Sequence, residues 1–85
     1  MNVNPARLAI YHTRIGLSLL AVGQRKRAIR KLRQARRAIA KLPSRRFRAA
    51  TAQISQALRC LKSFDSGQAQ GLGRAAIYSL TGHMT

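Results

Sequence analysis

Between Gln24 and Leu42 the chain reads QRKRAIRKLRQARRAIAKL, a stretch with nine basic residues and no acid. A run this charged can pack only as an amphipathic helix that turns its cations away from its neighbours. Ala28, Leu32, Ala35, Ile39 and Leu42 recur at intervals of 4, 3, 4 and 3, with Ile29 on the flank, and define the face to be buried. Lys26, Arg30, Arg33, Arg37 and Lys41 recur at 4, 3, 4 and 4 on nearly the opposite side. At 1.5 Å rise per residue they form a cationic ridge roughly 22 Å long. A helix face exposed only for solubility mixes signs, because like pairs four apart cost about 0.2–0.5 kcal/mol. Here Lys26/Arg30, Arg33/Arg37 and Arg37/Lys41 are such pairs with no acid to relieve them, so the ridge points to an anionic partner.

The rest of the composition sharpens that expectation. Seventeen Lys and Arg stand against the single Asp65, a formal net charge of +16 on 85 residues. Self-repulsion of this size opposes compaction, so its reason lies outside the fold: nucleic acid, an acidic protein surface or an anionic membrane. The 46% hydrophobic content argues against a disordered basic tail. Cys60 has no second cysteine to pair with, and in QALRCLKSF it reads as a buried thiol in a reducing compartment. No basic segment followed by an apolar run opens the chain, and the uncharged stretch from Ile15 to Gln24 is far short of a membrane span. No signal peptide is expected, and the cytoplasm is the expected location.

Helix punctuation divides the chain. Asn4-Pro5 starts a first helix, predicted over about residues 5–22. Leu8, Tyr11, Ile15, Leu19 and Val22 form its apolar line, widened by Ile10, Leu17 and Leu20, while Arg7 and Arg14 mark its wet side. So broad an arc needs two neighbours, or one neighbour and a homodimer partner. Gly23 breaks the pattern, and the basic helix, about 24–42, folds back antiparallel on the first. Leu42-Pro43 stops it, and Ser44 is expected to cap a third helix over about 45–65, with Phe47, Ala50, Ile54, Ala57, Leu61 and Phe64 on one stripe and Leu58 alongside. From Ser66, SGQAQGLG reads as a flexible link before a short C-terminal element at Arg74 to Leu80 and a fraying tail from Thr81. The expected architecture is all-α: a small antiparallel three-helix bundle over 1–65, followed by a Gly-rich link and a short helix or tail over 66–85.

The stretch IGLSLLAVGQRKRAIRKLRQA, with Gly16, Gly23, Ala28 and Ala35 at small-residue positions, resembles one helical hairpin of the tetratricopeptide repeat. It departs from that pattern at His12 and Leu19, where aromatic residues belong, and at Pro43, which comes too late. A shift by one repeat length lands on Ala50, Ala57, Lys62 and Ala69, so no second copy follows at the spacing a solenoid of this kind requires. The resemblance implies a close-packed helix pair with small residues at the crossing, and no functional residue.

Catalysis is not expected. One carboxylate allows no acid/base pair, and His12 and His83 lie far apart without a Cys, His or carboxylate at ligand spacing. Gly71 and Gly73 follow no strand and precede no Gly-Lys-Ser/Thr. No metal or cofactor is implied. A second cationic cluster lies at KLPSRRFR, where Ser44, Arg45, Arg46 and Arg48 open a helix. Cations are disfavoured at that end of the dipole, while free N–H groups, a hydroxyl and guanidinium forks suit a phosphate or carboxylate. Among the few aromatics, Tyr11, Phe47 and Phe64 sit on apolar lines, so no stacking residue is expected within the ridge.

The leading expectation is a non-enzymatic protein that holds nucleic-acid backbone on Lys26, Arg30, Arg33, Arg37 and Lys41 and at Arg45, Arg46 and Arg48, with little base specificity. A helix-turn-helix reader fits poorly, since no compact recognition helix follows a glycine turn. The rival is an interaction module or small inhibitor, of the kind phages and mobile elements encode, docking on an acidic surface such as that of a nucleic-acid enzyme. A membrane-surface helix is disfavoured because the apolar face of the basic helix is thin and lacks Trp and Phe.

Overall fold

The computed structural model describes residues 4–82 and is helical throughout, with no strand among them. Four helices follow in order: α1 (Pro5–Ala21), α2 (Arg25–Ile39), α3 (Ser44–Lys62) and α4 (Ser66–Gly82). The expected three-helix bundle with a trailing link is therefore corrected to a four-helix arrangement. The segment SGQAQGLG, read as a flexible link, is the first half of α4. Its buried positions, Ala69, Gly73, Ala76 and Leu80, recur at 4, 3 and 4, a helical stripe built of small residues. Asp65 begins the helix, its carboxylate accepting a hydrogen bond from the Gln68 N–H at 3.2 Å. The order Asp65, Ser66, Gly67, Gln68 also has the residue types of a capping box.

Small residues likewise decide which side of α1 is buried. The face against the core is Ala6, Ala9, Thr13, Gly16 and Leu20; the larger apolar line expected there is displaced to the flanks. Tyr11 is 59% and Val22 69% exposed, and Leu8, Ile10 and Leu19 are partly buried against the core's edge. Helices approach most closely where side chains are shortest, leaving larger neighbours to cover the sides of the contact. Thr13 satisfies its buried hydroxyl by donating to the Ala9 carbonyl at 2.7 Å. Asn4 caps α1 as expected, accepting from the Ala6 N–H at 2.9 Å. Both α2 and α4 pack on α1.

The chain is built as two hairpins of the same design. α1 closes with Gly23 at φ 80°, its N–H bonded to the Leu20 carbonyl at 3.1 Å and the next N–H, of Gln24, to Leu19 at 2.9 Å. α3 closes in the same way at Phe64, φ 61°, with Phe64 N–H on Leu61 at 3.1 Å and Asp65 N–H on Cys60 at 2.8 Å. Both are Schellman closures. The registers also match: the buried Ala6, Ala9, Thr13, Gly16 and Leu20 of α1 correspond at constant offset to the buried Phe47, Ala50, Ile54, Ala57 and Leu61 of α3. At that same offset Ala28, Leu32, Ala35 and Ile39 of α2 correspond to Ala69, Gly73, Ala76 and Leu80 of α4. A second hairpin does exist, then, at a spacing longer than the tetratricopeptide repeat.

Besides the contacts within each hairpin, α1 packs on α4 and α2 on α3; exchanging the hairpins leaves that pattern unchanged. The shortest extent, 18 Å between Cα atoms, is the depth of two helix layers about 8–10 Å apart. Alanine supplies about half of the buried apolar residues; Leu32, Ile39, Ile54, Leu61 and Leu80 are the fully buried larger ones. At the α1–α4 contact, a Cβ on Gly73 would stand 2.6 Å from Leu17 Cδ2, so glycine there leaves room for the Leu17 side chain. At the α1–α2 contact a Cβ on Gly16 would meet Leu32 at 3.3 Å. This is the close-packed pair that the hairpin resemblance implied.

Candidate functional site

α2 buries Ala28, Leu32, Ala35, Ala38 and Ile39. With that side pinned to the core, Lys26, Arg30, Arg33 and Arg37 stand exposed on the opposite side of a regular helix. Lys41 does not extend this ridge. The helix ends at Ile39, and Lys41 and Leu42 follow in a tighter turn, their N–H groups bonded three residues back to Ala38 and Ile39. Pro43 is the reason, since the residue before a proline avoids helical geometry and the unwinding starts ahead of it. Lys41 is exposed in that turn.

At the corner, Pro43 takes the cap position and Ser44 is the first residue of α3; the expectation that Ser44 caps the helix is corrected accordingly. Arg45 and Arg46 are exposed in a first turn that is set off by a kink at Phe47, φ −116° and ψ 18°. Arg48 is exposed beyond it. Phe47 at the kink is buried, 6% exposed, and its side chain belongs to the core stripe. The three arginines therefore leave the corner from two helical segments rather than one.

Several cations outside the predicted ridge complete the basic surface. Arg27 and Lys31, with Arg30 and Gln34, wall a groove of about 430 Å³ whose floor is Ile15 and Leu19 of α1. Arg27 is oriented by the Gln24 side-chain carbonyl, to which its Nη1 donates at 2.9 Å. His12 has a buried Nδ1 with no hydrogen-bond partner. Its burial, and secondarily the charge of Lys31, hold the imidazole below its ordinary value of 6.5.

On the other flank of α2, Arg25 reaches α3. Its Nη1 donates to the Leu61 carbonyl at 3.2 Å, and its Cζ lies 4.3 Å from the centroid of the Phe64 ring. Phe64 itself is 74% exposed. The expectation that it continues the core stripe of α3 is overturned, because α3 ends at Lys62 and the left-handed closure carries Phe64 away from that stripe. The capping-box residues behind it, DSGQ, were the signal in the sequence that a new helix begins there and that Phe64 falls in a turn. Cys60, expected to be buried, is partly buried against the core and also lines a shallow groove with Arg59, Ser63, Asp65 and Gln68.

Among the described residues no group of three or more His, Cys, Asp or Glu could hold a metal ion, and no helix is long and apolar enough to cross a membrane. His83, one of the two histidines, lies outside the described residues. What these observations define is an all-helical chain of two like hairpins, one of which carries a dense cationic face. No family model, curated protein or solved structure matches the chain.

Proposed function

We propose that the chain is a non-enzymatic nucleic-acid-binding protein that holds phosphate backbone on Lys26, Arg30, Arg33 and Arg37, with Arg45, Arg46 and Arg48 at the α2–α3 corner. One observation carries this reading, and it is a comparison the molecule makes with itself. The positions of α4 that correspond to the ridge are Gly67, Gly71, Arg74 and Tyr78, all exposed. The same hairpin design therefore tolerates a nearly uncharged outer face, and the ridge cations of α2 answer to something other than the fold. Four cations on a single exposed helix face, spaced at one turn, suit a row of phosphates, and the three guanidinium groups among them can engage phosphate bidentately. Asp65, the sole acidic side chain, is engaged at the start of α4, which supports binding over acid/base chemistry.

The test is the salt dependence of binding to labelled oligonucleotides. Log affinity falls linearly with log salt, by about 0.9 per contacted phosphate on a duplex and about 0.7 on a single strand. Arg33→Glu with Arg37→Glu is expected to weaken binding and flatten that slope by about 1.4–1.8. Arg7→Glu with Arg14→Glu, an equal change of charge on α1, is expected to leave the slope nearly unchanged. Equal responses to the two pairs would mean a diffuse positive cloud in place of a site. Weak binding to every nucleic acid, with capture of an acidic protein that the Arg33/Arg37 variant abolishes, would transfer the ridge to a protein partner.

A further inference from the structure

Phe64 occupies a place that the fold assigns to glycine. Its counterpart in the first hairpin is Gly23, and both close their helices with a positive φ, a region in which a side chain is strained. The residue that bears this strain does not use its ring in the core, since Phe64 is 74% exposed. Arg25 lies against the ring, its Cζ 4.3 Å from the centroid, and is itself anchored on the Leu61 carbonyl. A stack with a tethered guanidinium on one side leaves the opposite face of the ring to solvent. Arg25 immediately precedes Lys26, the first cation of the ridge, and Arg59 and Lys62 are exposed in the last turn of α3 just before the ring. The two departures of one hairpin from the other, a cationic outer face and an aromatic closure, thus meet at the N-terminal end of α2.

We infer that Phe64 is a stacking platform for an unpaired nucleobase at the end of the ridge, so that the ligand is single-stranded nucleic acid in preference to duplex. This rests on the ridge as the phosphate-binding surface. An exposed aromatic beside a row of cations is what sequence-tolerant binding of a single strand requires, because every base has a π face while a duplex keeps its bases stacked on each other. Backbone strain retained for an exposed ring with no core role is the kind of outlier from which a function is inferred.

The experiment measures the affinity of the full chain for labelled oligothymidylate and for a duplex of equal length, by fluorescence anisotropy at one salt concentration. Phe64→Gly removes the ring and relaxes the backbone, so its melting temperature should not fall. Phe64→Leu keeps an apolar side chain without a π face, and Phe64→Trp enlarges it. The wild type is expected to favour the single strand. The Gly and Leu variants should lose roughly tenfold on the single strand with little change on the duplex and in the salt slope, and Phe64→Trp should bind at least as tightly as wild type. If Phe64→Gly weakens neither ligand while Arg33→Glu/Arg37→Glu weakens both, the platform is refuted and the ridge stands. If the Arg33/Arg37 variant binds as the wild type does, the ridge reading fails and the inference falls with it.

Discussion

At the scale of single residues, two side chains are held against their ordinary preference. The left-handed conformation of Phe64 costs roughly 1–2 kcal/mol, and the Arg25 stack returns about 0.5–1 kcal/mol at an exposed site. The balance does not favour phenylalanine on stability alone. His12 is the other case: its Nδ1 is buried without a hydrogen-bond partner, and its affinity for a proton is lowered by burial and by Lys31. The folded state therefore binds this proton less readily than the unfolded chain does. Well above pH 6.5, the ordinary value, both states are neutral at this residue and it exacts no penalty. As the pH falls through that value the unfolded chain protonates first and stability is lost, until the folded-state imidazole also takes its proton. Urea denaturation across this range should show the wild type losing more stability on acidification than His12→Gln. Parallel pH profiles for the two proteins would show that His12 is not the group responsible.

Among the elements, α4 departs furthest from sequence expectation. Three glycines in SGQAQGLG read as a break, because glycine is the poorest helix former after proline. The helix forms anyway because Asp65 caps it and its small face, Ala69, Gly73 and Ala76, packs closely in the core. Tertiary contact outweighs propensity. Gly67 and Gly71 are exposed, and a Cβ at either would meet nothing within 4 Å. Replacing both by alanine should raise stability by about 1–2 kcal/mol and increase helical circular dichroism. A flexible link would show neither change, so a null result in both measurements would contradict α4. On α1 the same small-residue logic hid the core. The eye follows Leu8, Tyr11, Ile15 and Leu19, whereas the buried line is Ala6, Ala9, Thr13, Gly16 and Leu20. On α2 the two readings coincide, because its apolar residues are few enough that only one face could be buried.

For the molecule as a whole, seventeen cations and one acidic side chain are gathered in a chain of 85 residues, around a core in which alanine is the commonest residue. Repulsion between the charges opposes a core of modest size. Salt should therefore stabilise the protein: its melting temperature should climb with sodium chloride as the Debye length contracts from about 30 Å at 0.01 M to about 8 Å at 0.15 M. Polyphosphate should raise it further at equal ionic strength, since it binds the folded ridge as well as screening it. A melting temperature indifferent to both would show that the cations are too dispersed to repel or to bind.

The amphipathic period of α2, the helix starts at Asn4 and near Ser44, the break at Gly23 and the four ridge cations were all legible in the chain, because each depends on the order of a few neighbouring residues. Period and punctuation are local, and they survive folding unchanged. The fourth helix, the burial of small residues over large ones, the likeness of the two hairpins and the exposure of Phe64 depended on which surfaces meet in space. An alanine reads the same whether it lines a helix crossing or faces water, and a phenylalanine on a helical stripe reads as core until the helix is seen to end before it. The charge of this protein is written along its sequence; the end of the ridge at which an aromatic ring stands was decided by the way α3 closes against α2.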